Sequence, residues 1–125
     1  MLPDFDDWIV EEFARGPFTA LILVLEVGDI TVEPVASTYL HVIGDEVDWA
    51  AMRRLLKGAP GRWDAVAFFV SRDPASGPIS DRLAKLRLLD TEERVKGNRL
   101  ELNKSAFFDN RGRRMQIEEA DEVKH

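Results

Sequence analysis

Histidine is scarce in this chain: His41 and His125 are the two it has. His41 lies in Thr38-Tyr39-Leu40-His41-Val42-Ile43, a β-branched and aromatic run that reads as a strand. Alternation puts Tyr39 and His41 on one face of it, and Leu40 and Val42 on the other. An imidazole beside a phenol is a beginning for acid–base chemistry. It still needs an orienting carboxylate and a nucleophile close in space. No serine stands in a Gly-x-Ser-x-Gly elbow that would supply one. A second location for chemistry is the loop Ser71-Arg72-Asp73 onward. It follows an apolar strand, where open sheets place ligands, and Arg72 with the start of the next helix is suited to a small anion.

The carboxylates do not form a recognisable metal site. Asp4, Asp6 and Asp7 lack the glycine turn and distal glutamate of a calcium loop, and helix capping accounts for them. Glu101 and Lys104 suggest a metal-nuclease pairing. Residues three apart face opposite sides of a regular strand, so a bulge would be needed to bring them together. Gly58-Ala59-Pro60-Gly61 follows a helix and lacks the lysine of a phosphate loop. The absence of cysteine removes disulfides, thiolate metal sites and cysteine nucleophiles. No catalytic residue, metal or cofactor is assigned, and a non-enzymatic role is favoured.

Charge is segregated along the chain. Residues 1–50 hold eleven acids and one arginine, a net of −10; residues 51–117 hold fifteen Lys/Arg and eight acids, a net of +7. Residues 118–125 return to −3, and the whole chain carries −6. The basic part offers Arg72, Lys104, Arg111, Arg113 and Arg114 as candidate anion-binding residues, with Lys85, Arg87, Arg94 and Lys96 on the preceding helix. The negative total, and aromatics that fall inside apolar runs, disfavour nucleic acid as the partner without removing it. The acidic front half suits a basic protein partner.

These side chains need elements to hold them. A helix is expected from an Asp4 cap to Gly16-Pro17, with Phe5, Trp8, Ile9 and Phe13 near one face. Phe18 to Val27 reads as a strand buried on both faces, turning at Gly28-Asp29 into a strand over 30–35. Ala36-Ser37 breaks that run, and 38–43 forms a third strand. Asp45 is expected to cap a second helix, with Glu46 and Asp48 in its first turn and Gly58 and Pro60 ending it. Asp64 to Ser71 is a strand, and Asp73 to Pro78 a loop. A third helix capped by Ser80 or Asp81 follows, although 85–90 also alternates like a strand. Arg99 to Asn103 reads as a short strand, and Ala106 to Glu118 as a closing hairpin around Asn110-Arg111-Gly112.

The resulting expectation is one α+β domain over 1–118 with a frayed acidic tail at 119–125. Its sheet is mixed, largely antiparallel and five to seven strands wide, with two or three packed helices and a C-terminal β-hairpin. The adjacent pairs Phe68/Phe69 and Phe107/Phe108 place one ring on each sheet face. Both faces therefore need cover, from helices or from a second subunit, which motivates a homodimer. The longest apolar run, Ala20 to Leu25, is far short of the roughly 20 residues that span a bilayer, so no membrane partner is expected. The acidic first residues are unlike a secretory leader, and the expected location is the cytoplasm. The function expected is that of a protein-interaction or regulatory module. Binding of an anionic ligand or nucleic acid by the basic C-terminal surface is the first alternative, and an enzyme sited near Arg72-Asp73 or Tyr39/His41 the second.

Overall fold

A computed structural model describes residues 3–29, 31–44, 47–59 and 62–117. The first helix, α1 (Asp4–Phe13), carries Asp4, Asp6 and Asp7 in its first turn, where the helix dipole favours acids. Pro3, not Asp4, is the N-cap. The acids instead tie the helix to its neighbours: Asp4 accepts the Arg114 amide at 2.8 Å, and Asp6 the Trp49 amide at 2.7 Å. The chain turns away at Gly16, whose φ of 111° suits glycine.

Strand β1 (Phe18–Val27) is buried from Phe18 through Leu25, as its unbroken apolar run requires. It pairs antiparallel with β2 (Val32–Val42), and here the expectation of two short strands fails, because one strand runs through both. Pro34 and Ala36-Ser37 read locally as breakers. β2, however, is an edge strand, where a missing amide costs no ladder bond. The register steps from Val24–Ala36 to Leu25–Pro34, which leaves Val35 as the extra residue of a bulge.

Helix α2 (Trp49–Leu56) is capped by Asp48, which accepts the Ala51 amide at 2.8 Å. This corrects the expected cap at Asp45; Asp45 and Glu46 lie outside the described residues, as do Ile30, Pro60 and the 119–125 tail. β3 (Ala65–Ser71) pairs antiparallel with β1 on one side and with β4 (Ala106–Asp109) on the other. α3 (Asp81–Gly97) is one continuous helix, with Ser80 accepting the Leu83 amide at 3.2 Å.

The stretch expected as a strand at 99–103 is a 3₁₀ helix, Arg99–Lys104, capped by Asn98. Residues three apart eclipse in that geometry, so Lys104 and Glu101 meet at 3.0 Å and form an ordinary surface pair. The closing hairpin is reduced to β4 and one isolated bridge, Phe108–Arg114. The sheet therefore has four strands in the order β2-β1-β3-β4, all antiparallel, in place of the mixed five to seven expected. The difference is that β2 runs unbroken where two strands are expected, and that 99–103 and the described part of the hairpin's return arm are not strands.

Helices cover both faces. Phe5, Ile9, Trp49, Met52 and Leu56 of α1 and α2 pack on Phe18, Ile22, Val66, Phe68 and Phe108. Ala84, Leu88 and Val95 of α3, with Leu102, pack on Leu21, Leu23, Leu25, Ala67 and Phe107. The cover that the paired phenylalanines demand thus comes from this chain's own helices. Among the described residues no helix is long and apolar enough to cross a membrane.

Candidate functional site

The β1–β2 register places Thr19 directly opposite His41. The Thr19 hydroxyl accepts the Ile79 amide at 3.1 Å, which leaves its own hydrogen for His41 Nδ1 at 2.8 Å. His41 Nε2 then donates to Asp81, the first residue of α3, at 2.6 Å. Tyr39 lies on the same face, its ring 5.4 Å from the imidazole. The Asp81 carboxyl is held below the usual carboxylate range, first by the His41 hydrogen bond. The Tyr39 phenol is pushed up, first by burial and then by the Asp81 charge. Hydroxyl, imidazole and carboxylate stand here in the order of a nucleophile triad. The hydroxyl nevertheless belongs to a residue that is 0 % exposed and already accepts a backbone amide, so a substrate has no route to it. The row joins β1, β2 and the start of α3.

Arg72 is turned inward at the end of β3. It donates to Glu12 Oε2 at 2.7 Å, to the Glu12 carbonyl at 2.9 Å and to the Gly16 carbonyl at 3.0 Å, with its guanidinium over the Phe18 ring. It therefore serves as the C-terminal clamp of α1. Asp73 closes its own loop by accepting the Ala75 amide at 2.9 Å. Lys104 meets Glu101, Arg113 meets Asp109 at 2.8 Å, and the Arg114 guanidinium lies over Phe108. Arg111, Arg113 and Arg114 are exposed around the turn after β4, and Arg111 donates its amide to Asp109 at 2.8 Å. Asp109 is desolvated by partial burial, but the hydrogen bonds from Arg113 and Arg111 outweigh this and hold its carboxyl low. Arg72 thus stands apart in role from the four C-terminal cations. Among the described residues, no group of three His, Asp or Glu could hold a metal.

An apolar groove lies elsewhere, along α1. Ile9, Val10 and Phe13 of α1 and its C-cap Ala14 face Gly44 and Val47 across a groove of about 220 Å³. Val10, at 69 % exposure, is an open apolar wall of this groove, and Ile43, next to Gly44 in the chain, is also 69 % exposed. Asp7, Glu11 and Asp48 are exposed on the same elements. The sequence signal for this groove was present but weak: Val10 falls beside the Phe5–Ile9 stripe of α1, and Ile43 ends a strand. Neither position reveals what covers it. No protein-family model, curated protein or solved structure matches the chain.

Proposed function

We infer that this protein is a non-catalytic interaction module whose α1 groove docks a segment of another protein that is apolar on one face and basic on the other. The observation that carries the reading is the exposure of Val10 in the wall of a groove in the acidic part of the chain, with Ile43, next to the groove residue Gly44, exposed as well. An apolar concave surface with an exposed apolar wall is what a docking site for an apolar segment presents. The net charge of −10 over residues 1–50 supplies the complementary half of the recognition. Acids steer a basic segment to the surface, and apolar anchors spaced by about one helical turn then fill the groove. The Thr19–His41–Asp81 row is read as a structural brace in this scheme, since its hydroxyl is sealed from substrate.

The test uses three fluorescently labelled peptides of equal length: an amphipathic helix of leucine and lysine, the same pattern with glutamate for lysine, and a lysine-only control. The leucine–lysine peptide is expected to bind, to weaken as salt rises, and to lose on the order of tenfold in affinity with Val10→Glu or Ile43→Glu. The reading fails if that peptide binds no better than the lysine-only control, or if both substitutions leave its affinity unchanged.

A further inference from the structure

Helix α2 carries a second concave surface that shares no lining residue with the apolar groove. Ala50, Arg53, Arg54 and Lys57 form one side of it and Trp63 the other, around a space of about 350 Å³. Arg53 and Lys57 are one helical turn apart, as are Ala50 and Arg54, so the cations stand in two adjacent rows. The small Ala50 side chain leaves the floor between them open. All three cations are exposed, and no described acid forms an ion pair with any of them. The nearby Arg62 is different, because it reaches Asp64 at 3.6 Å.

Three like charges on neighbouring turns repel one another, while the C-terminal end of the helix dipole favours cations in this last turn. A bound anion relieves the mutual repulsion. Trp63 adds a second recognition element. It is half-buried against the α1–α2 core while part of its surface lines the groove. The described cation–π contacts are those of Arg72 on Phe18 and Arg114 on Phe108, so no described arginine occupies the Trp63 ring.

We propose that this groove binds a nucleoside phosphate, with the base against the Trp63 indole and the phosphate oxygens on Arg53, Arg54 and Lys57. Guanidinium groups match phosphate oxygens in geometry as well as charge, and an indole face accepts any base. The size of the groove, near the lower end of the roughly 300–1,000 Å³ of small-ligand sites, suits a single nucleotide. A duplex hides its base faces and is not the ligand. A free mononucleotide and an unpaired residue of a single strand present the same chemistry.

Calorimetric titration of the full chain with ATP, tripolyphosphate, adenosine and an oligodeoxyadenylate tests the proposal. ATP is expected to bind more tightly than tripolyphosphate or adenosine, and to weaken between roughly 50 and 200 mM salt. Arg53→Ala with Arg54→Ala lowers ATP affinity by about tenfold or more. Trp63→Leu brings ATP down to the level of tripolyphosphate, and Trp63→Phe retains the difference. If the double variant fails to fold, Lys57→Ala, a single exposed position, gives the same reading. An oligonucleotide tighter than ATP assigns the site to a strand, and the reverse order assigns it to a free nucleotide. The proposal is overturned if the wild-type chain binds ATP no better than tripolyphosphate, if it does not bind ATP at low salt, or if the α2 substitutions leave ATP binding unchanged.

Discussion

Arg72 and Glu12 meet at 2.7 Å, with side chains only 25 % and 13 % exposed, and join the end of β3 to the last turn of α1. The guanidinium also donates to the Glu12 carbonyl in the last turn of α1 and to the Gly16 carbonyl just after it, so one side chain holds the helix end and the turn that follows. Arg72→Ala removes all three bonds and strands the Glu12 carboxylate in a mostly buried position. The expected loss is about 2–4 kcal/mol. Glu12→Gln keeps a neutral acceptor and is expected to cost about 1 kcal/mol. Urea unfolding midpoints of the two variants check both the direction and the order.

The row through His41 makes a prediction of its own. Thr19→Val keeps the shape of the side chain but leaves the Ile79 amide and His41 Nδ1 without their partner. A loss of about 1–3 kcal/mol is expected, and Thr19→Ser should recover most of it. Equal stabilities for the valine and serine variants in denaturant titrations would show that the hydroxyl has no bracing role.

Asp81 adds a dependence on pH. Its carboxyl is held below the usual range in the folded chain, so the unfolded chain takes up that proton first as pH falls. The stabilisation is complete above about pH 4, the ordinary aspartate value. It is lost as pH drops through the lower folded value. Asp109 acts in the same direction. Unfolding followed by circular dichroism across this acid range should show a shallower fall in stability for Asp81→Asn than for the wild-type chain.

Two glycines with similar backbones separate strain from crowding. Gly77 has φ of 87° and open space around a would-be Cβ, whereas Gly112 has φ of 78° and a Cβ there would lie 2.9 Å from Trp49 and 3.0 Å from Pro3. Gly77→Ala is expected to cost about 1–2 kcal/mol, from conformation alone. Gly112→Ala adds an overpacked contact, for about 2–4 kcal/mol in all. Thermal melts of the two variants should separate by several degrees, with Gly112→Ala the lower.

The elements with strong local signals were legible in the sequence. β1 could be read from its unbroken apolar run, α1 from its stripe and Gly16-Pro17 stop, and α3 from Ser80, because each of these signals acts within a few residues. The continuity of β2 through Pro34 and the 3₁₀ form of 99–104 could not be read in that way. Within a strand a proline is tolerated at an edge or a bulge, and the positions of both depend on distant partners. A short alternating segment also fits either geometry until packing chooses between them.

Composition and local pattern were enough to imply an α+β chain with an acidic front, a basic later part and sheet faces that both need cover. Tertiary structure decided what the charges do. Arg72 was drawn inward because the end of α1 arrives beside β3, with Glu12 60 residues away in the chain. Thr19, His41 and Asp81 were aligned by strand register and helix placement, and the same placement sealed the hydroxyl. Val10 and Ile43 were left in water because no described element packs over them. Exposure and pairing depend on which segments meet in space, and a local pattern does not carry that information.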